Sequence, residues 1–119
     1  MSVVLKQSTE IKVRVGPFVD ATNGKEPESG VDLGLADEAE LLKANGAATV
    51  DISGATWTAV TDAAGWYDLT LTAAMTDTVG ELVVAIGDAS VCRPVGMRFQ
   101  VVNAKAYSYL YSSDASIPW

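Results

Sequence analysis

Apolar and polar residues alternate with a period of two along most of this chain. In "TEIKVRVGPF", Ile11, Val13 and Val15 fall on one side and Lys12 and Arg14 on the other, which is how a strand buried on one face reads. Pro17 has no N–H to give a ladder and predicts the end of that strand. "VDLGL" alternates again and predicts a strand with Val31, Leu33 and Leu35 inward. "ATWTAV" sets Trp57 and Ala59 on one face, and "WYDLTLT" sorts Tyr67, Leu69 and Leu71 inward from Trp66, Asp68 and Thr70. "ELVVAI" opposes Leu82, Val84 and Ile86 to Glu81, Val83 and Ala85, with both faces open to being covered. "VGMRFQVV" closes the series with Val95, Met97, Phe99 and Val101 inward and Arg98 and Gln100 outward.

The links between these runs carry turn chemistry. Asp20 to Gly30, "DATNGKEPESG", is dense in turn formers and charge and predicts an exposed loop. "ADEAELLKANGAATVDI" is ambiguous, because Ala, Glu and Leu suit a helix whereas Asn45-Gly46 followed by "ATVDI" suits a hairpin. Asn-Gly fits a tight turn with both central residues at positive φ, so strand-turn-strand is favoured. The stretch from Trp66 to Ile86 reads as two strands crossing between sheets, with its Thr-Asp link making the corner. With the short run "SVVLK" at the start, seven or eight evenly spaced strands predict an all-β, antiparallel two-sheet sandwich. Trp57 and Trp66 are assigned to core or inter-sheet packing, with a surface platform for sugar or peptide as the alternative.

After Val102 the character changes to "NAKAYSYLYSSDASIPW". Tyr107, Leu110 and Tyr111 share a helical face, and Tyr107, Tyr109 and Tyr111 share a strand face. A helical turn begun near Asn103 is favoured. The chain therefore divides into a sandwich domain over residues 1–102 and an aromatic C-terminal tail over 103–119. An end so rich in tyrosine, finishing Ile117-Pro118-Trp119, either folds back on its own core or docks on another chain, since aromatic residues are enriched at buried interface centres.

Composition removes function classes. The 119 residues fit one domain, and 49% hydrophobic content supports a core without metal or disulfide staples. The formal net charge of -7, with no basic cluster, disfavours nucleic acid as a partner. The longest apolar run, "LVVAIG", is far short of a membrane helix, and "MSVVLKQSTE" lacks the layout of a cleaved signal. Synthesis in the cytoplasm follows as the expectation.

Candidate chemistry is thin. No histidine is present, which excludes a Ser-His-Asp arrangement and the usual zinc site. Cys92 is the one cysteine, sits in an apolar stretch and reads as a buried, inert thiol. Asp37, Glu38 and Glu40 form an acidic cluster, but neighbours on a strand point to opposite faces and do not oppose one another across a substrate. Asp20, Asn23 and Glu26 or Glu28 offer oxygens for calcium at a spacing that matches no established calcium loop. No catalytic residue, cofactor or metal site is expected, and the chain reads as a non-enzyme.

"VGPFVDATNGKEPESGV", "GWYDLTLTAAMTDTVGELVVAI" and "VGMRFQVVNAKAY" together resemble small structural proteins of tailed bacteriophages. The shared features are a Gly-Pro-Phe-x-Asp-x-x-x-Gly loop (Gly16, Pro17, Phe18, Asp20, Gly24), a Gly-Trp-Tyr strand (Gly65 to Tyr67) and an Asp-Thr-x-Gly-x-Leu corner (Asp77, Thr78, Gly80, Leu82). The likeness spans roughly residues 1 to 107. It implies an immunoglobulin-like β-sandwich carried on the virion, decorating the head or anchoring a fibre or baseplate part. Many such proteins continue into a fibrous region, whereas this sequence stops at Trp119, which favours a compact module on a larger lattice. The expected partner is the major capsid protein or another virion structural protein, with a homo-oligomer left open. Contact is expected at Pro17 and Phe18 in the first loop and at Tyr107, Tyr109, Leu110, Tyr111, Ile117 and Trp119 in the tail. The alternatives are a tail, baseplate or fibre-anchoring adaptor, and a carbohydrate-binding host-adhesion module using Trp57 or Trp66.

Overall fold

Among the described residues, eight strands and one short helix follow each other in the order β1 (Val3–Lys6), β2 (Ile11–Val15), β3 (Glu38–Leu42), β4 (Val50–Asp51), β5 (Trp57–Ala59), β6 (Tyr67–Leu71), β7 (Gly80–Asp88), β8 (Cys92–Val102) and α1 (Ala104–Tyr111). The structure, a computed structural model, describes residues 3–44, 46 and 48–111. The strands divide between a five-stranded sheet, β1-β8-β7-β3-β4, and a three-stranded sheet, β2-β6-β5. Every pairing is antiparallel except β1 with β8, which run parallel with Val3 opposite Phe99 and Lys6 opposite Val102. The all-β expectation therefore holds, and the purely antiparallel sheet is corrected to a mixed one.

Period two places the core. Val13 and Val15 of β2, Tyr67, Leu69 and Leu71 of β6, Leu82, Val84 and Ile86 of β7, and Phe99 and Val101 of β8 are all buried. Leu5 of β1 and Ala39 and Leu41 of β3 join them in one cluster fed by both sheets. Each large apolar side chain enclosed this way contributes about 1.5–3 kcal/mol relative to solvent exposure. Lys12 and Arg14 point outward as expected. Val95 and Met97 pack against the cluster from a half-buried position near the far end of β8, and Ala59 of β5 is exposed.

The stretch from Trp66 to Ile86 crosses between sheets: β6 belongs to the three-stranded sheet and β7 to the five-stranded one. Thr76 holds the corner. Its buried hydroxyl donates to the Thr9 carbonyl at 3.0 Å and accepts the Thr9 N–H at 3.1 Å, so the β6–β7 corner is tied to the β1–β2 crossing beside it. Gly80 opens β7 at φ +125, where an added Cβ would stand 2.6 Å from the Ala44 methyl.

Of two local readings, one holds and one differs. β3 and β4 do pair as the favoured strand-turn-strand, with Glu40 opposite Asp51 and Leu41 opposite Val50, and in the connection Gly46 N–H donates to the Lys43 carbonyl at 3.0 Å. Asn45 itself lies outside the described residues. "VDLGL" is not a strand. The Asp32 carboxylate accepts the Gly34 N–H at 2.9 Å and caps a 3-10 turn over Leu33–Leu35. That curl buries Val31 and Leu33 and turns Leu35 outward to 76% exposure, a case of an Asp side chain outcompeting the ladder for the backbone.

Candidate functional site

The connections at one end of the sandwich are bound to each other. The chain from Gly16 to Asp37 crosses that end, with Phe18 N–H donating to the Gly65 carbonyl at 2.8 Å and Glu28 N–H donating to the Phe18 carbonyl at 2.9 Å. Arg93 N–H reaches the Val19 carbonyl at 3.0 Å, Ala21 N–H the Val91 carbonyl at 3.2 Å, and Ala89 N–H the Asp37 carboxylate at 2.8 Å. Loops between three pairs of strands thus form one surface. The Gly16–Pro17 bond within it is cis.

Three aromatic rings sit beneath that surface. Phe18 meets Trp57 and Tyr67 edge-on, with centroids 5.8 and 5.4 Å away, while Trp57 and Tyr67 stack. The polar atoms of the cluster are satisfied by the loop: Trp57 Nε1–H donates to the Val31 carbonyl at 3.0 Å, and the Tyr67 hydroxyl donates to the Glu28 carbonyl at 2.8 Å while accepting Val31 N–H at 3.1 Å. Burial pushes the Tyr67 hydroxyl above its usual pKa, because the phenolate loses water that the single bond from Val31 N–H only partly replaces.

The expected contact residues separate on this geometry. Pro17 is exposed, whereas Phe18 is fully enclosed. The expectation of Phe18 as a contact residue is corrected: its loop looks solvated in sequence, but the ring turns under the loop and fills the aromatic cluster. Trp57 is half-buried in the packing role expected of it. Trp66 is half-buried, with Gly16 so close that an added Cβ would lie 2.9 Å from its ring.

The tail begins as the helix that was favoured. Asn103 precedes α1, its side chain accepts Lys105 N–H at 2.9 Å and its carbonyl accepts Tyr107 N–H at 2.9 Å, which satisfies donors that a helix start otherwise leaves bare. α1 packs against β1. Tyr107 is half-buried, and Tyr109 and Leu110 are exposed. Tyr111 is the last described residue of α1, and Ile117 and Trp119 lie outside the described residues. The structure therefore brings Tyr107, Tyr109 and Leu110 onto one short element and holds Pro17 at the opposite end of the strands.

The other candidate groups have structural occupations. The Asp20 carboxylate accepts Thr22 and Asn23 N–H, the Asn23 carbonyl oxygen accepts Lys25 and Glu26 N–H, and Glu28 accepts Gly30 N–H. These oxygens shape the loop, and among the described residues no group of three acids or thiols is placed to hold a metal ion. Asp37 and Glu38 flank a shallow recess of about 210 Å³ with Asp88 and Pro94, and Glu40 sits on β3 opposite Asp51. Cys92 is buried, and that burial raises its thiol pKa, away from the thiolate a nucleophile needs. At the far end, the hydrogen bonds from Lys43 and from the Thr78 hydroxyl hold the Asp77 carboxyl below its usual pKa.

Sequence reasoning missed Leu35, because its alternation with Val31 and Leu33 reads as inward-facing; the Asp-x-Gly cap just before it, Asp32 to Gly34, was the available signal. Among the described residues no helix is long and apolar enough to cross a membrane. Compared with known protein families, curated proteins and solved structures, the chain gives no significant match.

Proposed function

We propose that this chain is a bacteriophage virion structural protein: an immunoglobulin-like β-sandwich, without catalytic activity, that decorates the head by binding the major capsid protein or another virion protein. The strand order supports the immunoglobulin-like part. β8-β7-β3-β4 corresponds to the G-F-C-C′ arrangement of such domains and β2-β6-β5 to B-E-D. The residues that carry the resemblance to phage proteins also fit this reading, since the Gly-Pro-Phe loop lies against the Gly-Trp-Tyr strand through the Phe18–Gly65 bond.

The observation that carries the adhesive role is α1, a tyrosine-rich helix outside the core that keeps Tyr109 and Leu110 46% and 54% exposed. Such side chains lose water when a partner covers them, and aromatic groups do so at low entropic cost. The acidic remainder of the surface keeps a multi-copy particle soluble. A tail or fibre-anchoring location would use the same contacts. The carbohydrate reading gains nothing from Trp57, whose ring is occupied by Tyr67 on a face and Phe18 at an edge.

The test is location and copy number. Mass spectrometry and antibody labelling of purified tailed particles from the source of this sequence are expected to find the chain on the head in many copies. Labelling on the tail would move it to the adaptor reading, and absence from every particle would end the proposal. Full-length chain is expected to bind stripped particles, and chain ending at Val102, checked for intact thermal unfolding, is expected not to.

A further inference from the structure

The two ends of the sandwich differ in both charge and apolar exposure. Where β3 ends, β4 and β7 begin and β8 passes into α1, the exposed large apolar side chains among the described residues are Leu42, Val50, Val79, Tyr109 and Leu110. At the loop end, among the described residues, Leu35 is the one large hydrophobic side chain left exposed, at 76%. Charge runs the other way. Around the loop end the acids Asp20, Glu26, Glu28, Asp32, Asp37 and Glu38 outnumber the bases Lys25 and Arg93, the latter with its guanidinium beside Gly24. At the α1 end Asp77 is neutralised by Lys43 at 2.8 Å and Glu81 by Arg98 at 3.4 Å, leaving, among the described residues, Lys6, Lys12 and Lys105 against Glu10.

We propose that a second copy of this chain docks head to tail, its Leu35 turn seated on the apolar surface of the α1 end. Packing two α1 ends together sets lysines against lysines, and packing two loop ends sets acids against acids. Only the head-to-tail arrangement covers Leu35 with Tyr109, Leu110 and Val79 while bringing Asp32, Asp37 and Glu38 toward Lys105 and Lys6. A contact between two different surfaces does not close at two copies, so it grows into rows or rings. The first copy of a row keeps its own α1 end for another partner, and the self-contact is independent of which particle carries it.

Sedimentation of the full chain over a wide concentration range, at about 0.15 M salt, tests this. The weight-average mass is expected to climb past that of a dimer. Leu35→Ser and Leu110→Ser, both at exposed positions, are expected to weaken association about tenfold with thermal unfolding unchanged. Glu38→Lys or Lys105→Glu alone is expected to weaken it, and the two together in one chain to restore it. A monomer at every concentration, a mass that stops at two copies, or association indifferent to Leu35→Ser would each overturn the proposal. So would loss of association in both single charge variants with no recovery in the double.

Discussion

The indole of Trp57 lies face to face with the phenol ring of Tyr67, their centroids 4.6 Å apart and their planes 10° from parallel. The two residues belong to neighbouring strands, and both send their polar atom into the loop between β2 and β3, where Val31 takes a bond from one and gives a bond to the other. A sheet face and a long connection are thereby made a single packing unit.

Tyr67→Phe keeps the stack and deletes the hydroxyl, which leaves the buried Val31 N–H without its acceptor. A loss of about 1–3 kcal/mol in urea unfolding is expected, with faster amide exchange at Val31. A variant as stable as the parent would show that water replaces the hydroxyl without cost.

The same residue sets a response to base. Its folded-state pKa is raised above the ordinary 10.0 by burial, so the folded form holds the proton more tightly than the unfolded form. Stability from this group is complete below pH 10 and declines as pH rises through the folded pKa. The slope of unfolding free energy against pH above 10 is expected to be shallower in Tyr67→Phe than in the parent; equal slopes would contradict the assignment.

Gly65 stands at φ +86 with the Phe18 carbonyl 2.7 Å from where a Cβ would be. Gly65→Ala meets both a disfavoured backbone and a contact that the chain cannot relieve without moving Phe18, at a cost of about 1–3 kcal/mol. Gly96, in the middle of β8, has open space at the same position. Gly96→Ala is expected to leave the melting temperature nearly unchanged, and comparing the two separates a local constraint from a general dislike of alanine.

At the corner, Thr76→Val removes a hydroxyl of nearly the same volume as the methyl that replaces it. Both backbone groups of Thr9 lose their partner, and a loss of about 1–3 kcal/mol is expected, with Thr9 amide exchange rising far more than that of β8. Unchanged exchange at Thr9 would mean that the corner and the β1–β2 crossing are independent.

Cys92 is buried with its pKa raised. A soluble aromatic disulfide reagent is expected to react slowly with native protein and at once in denaturant. Rapid native labelling would reopen the question of a reactive thiol.

How far the sequence spoke depends on the distance over which the deciding interaction acts. The inward faces of β2, β6 and β7 were legible because alternation is local and each face has one environment. The crossing between sheets at Trp66 to Ile86 was legible from its polar, threonine-rich middle. Leu35 was misread because a carboxylate three residues earlier, on Asp32, caps a turn that alternation does not register. Phe18 was misread because its loop is polar, while the aromatic pair that receives it lies some forty residues away in sequence. The pairing of β1 with β8 had no local sign, since parallel register depends on a partner at the other side of the domain. Of the candidate contact residues, Pro17, Tyr109 and Leu110 sit where a partner can reach them, and Ile117 and Trp119 lie outside the described residues.

Because Val3 finds its neighbour only at Phe99 and Lys6 only at Val102, the opening strand has nowhere to go while the ribosome is still making the rest. Its apolar residues wait in solution until the last strand emerges. Completion of this domain is therefore a late event in synthesis, governed by how quickly two distant stretches meet, and a chain halted before residue 99 would leave Leu5 without its place in the core.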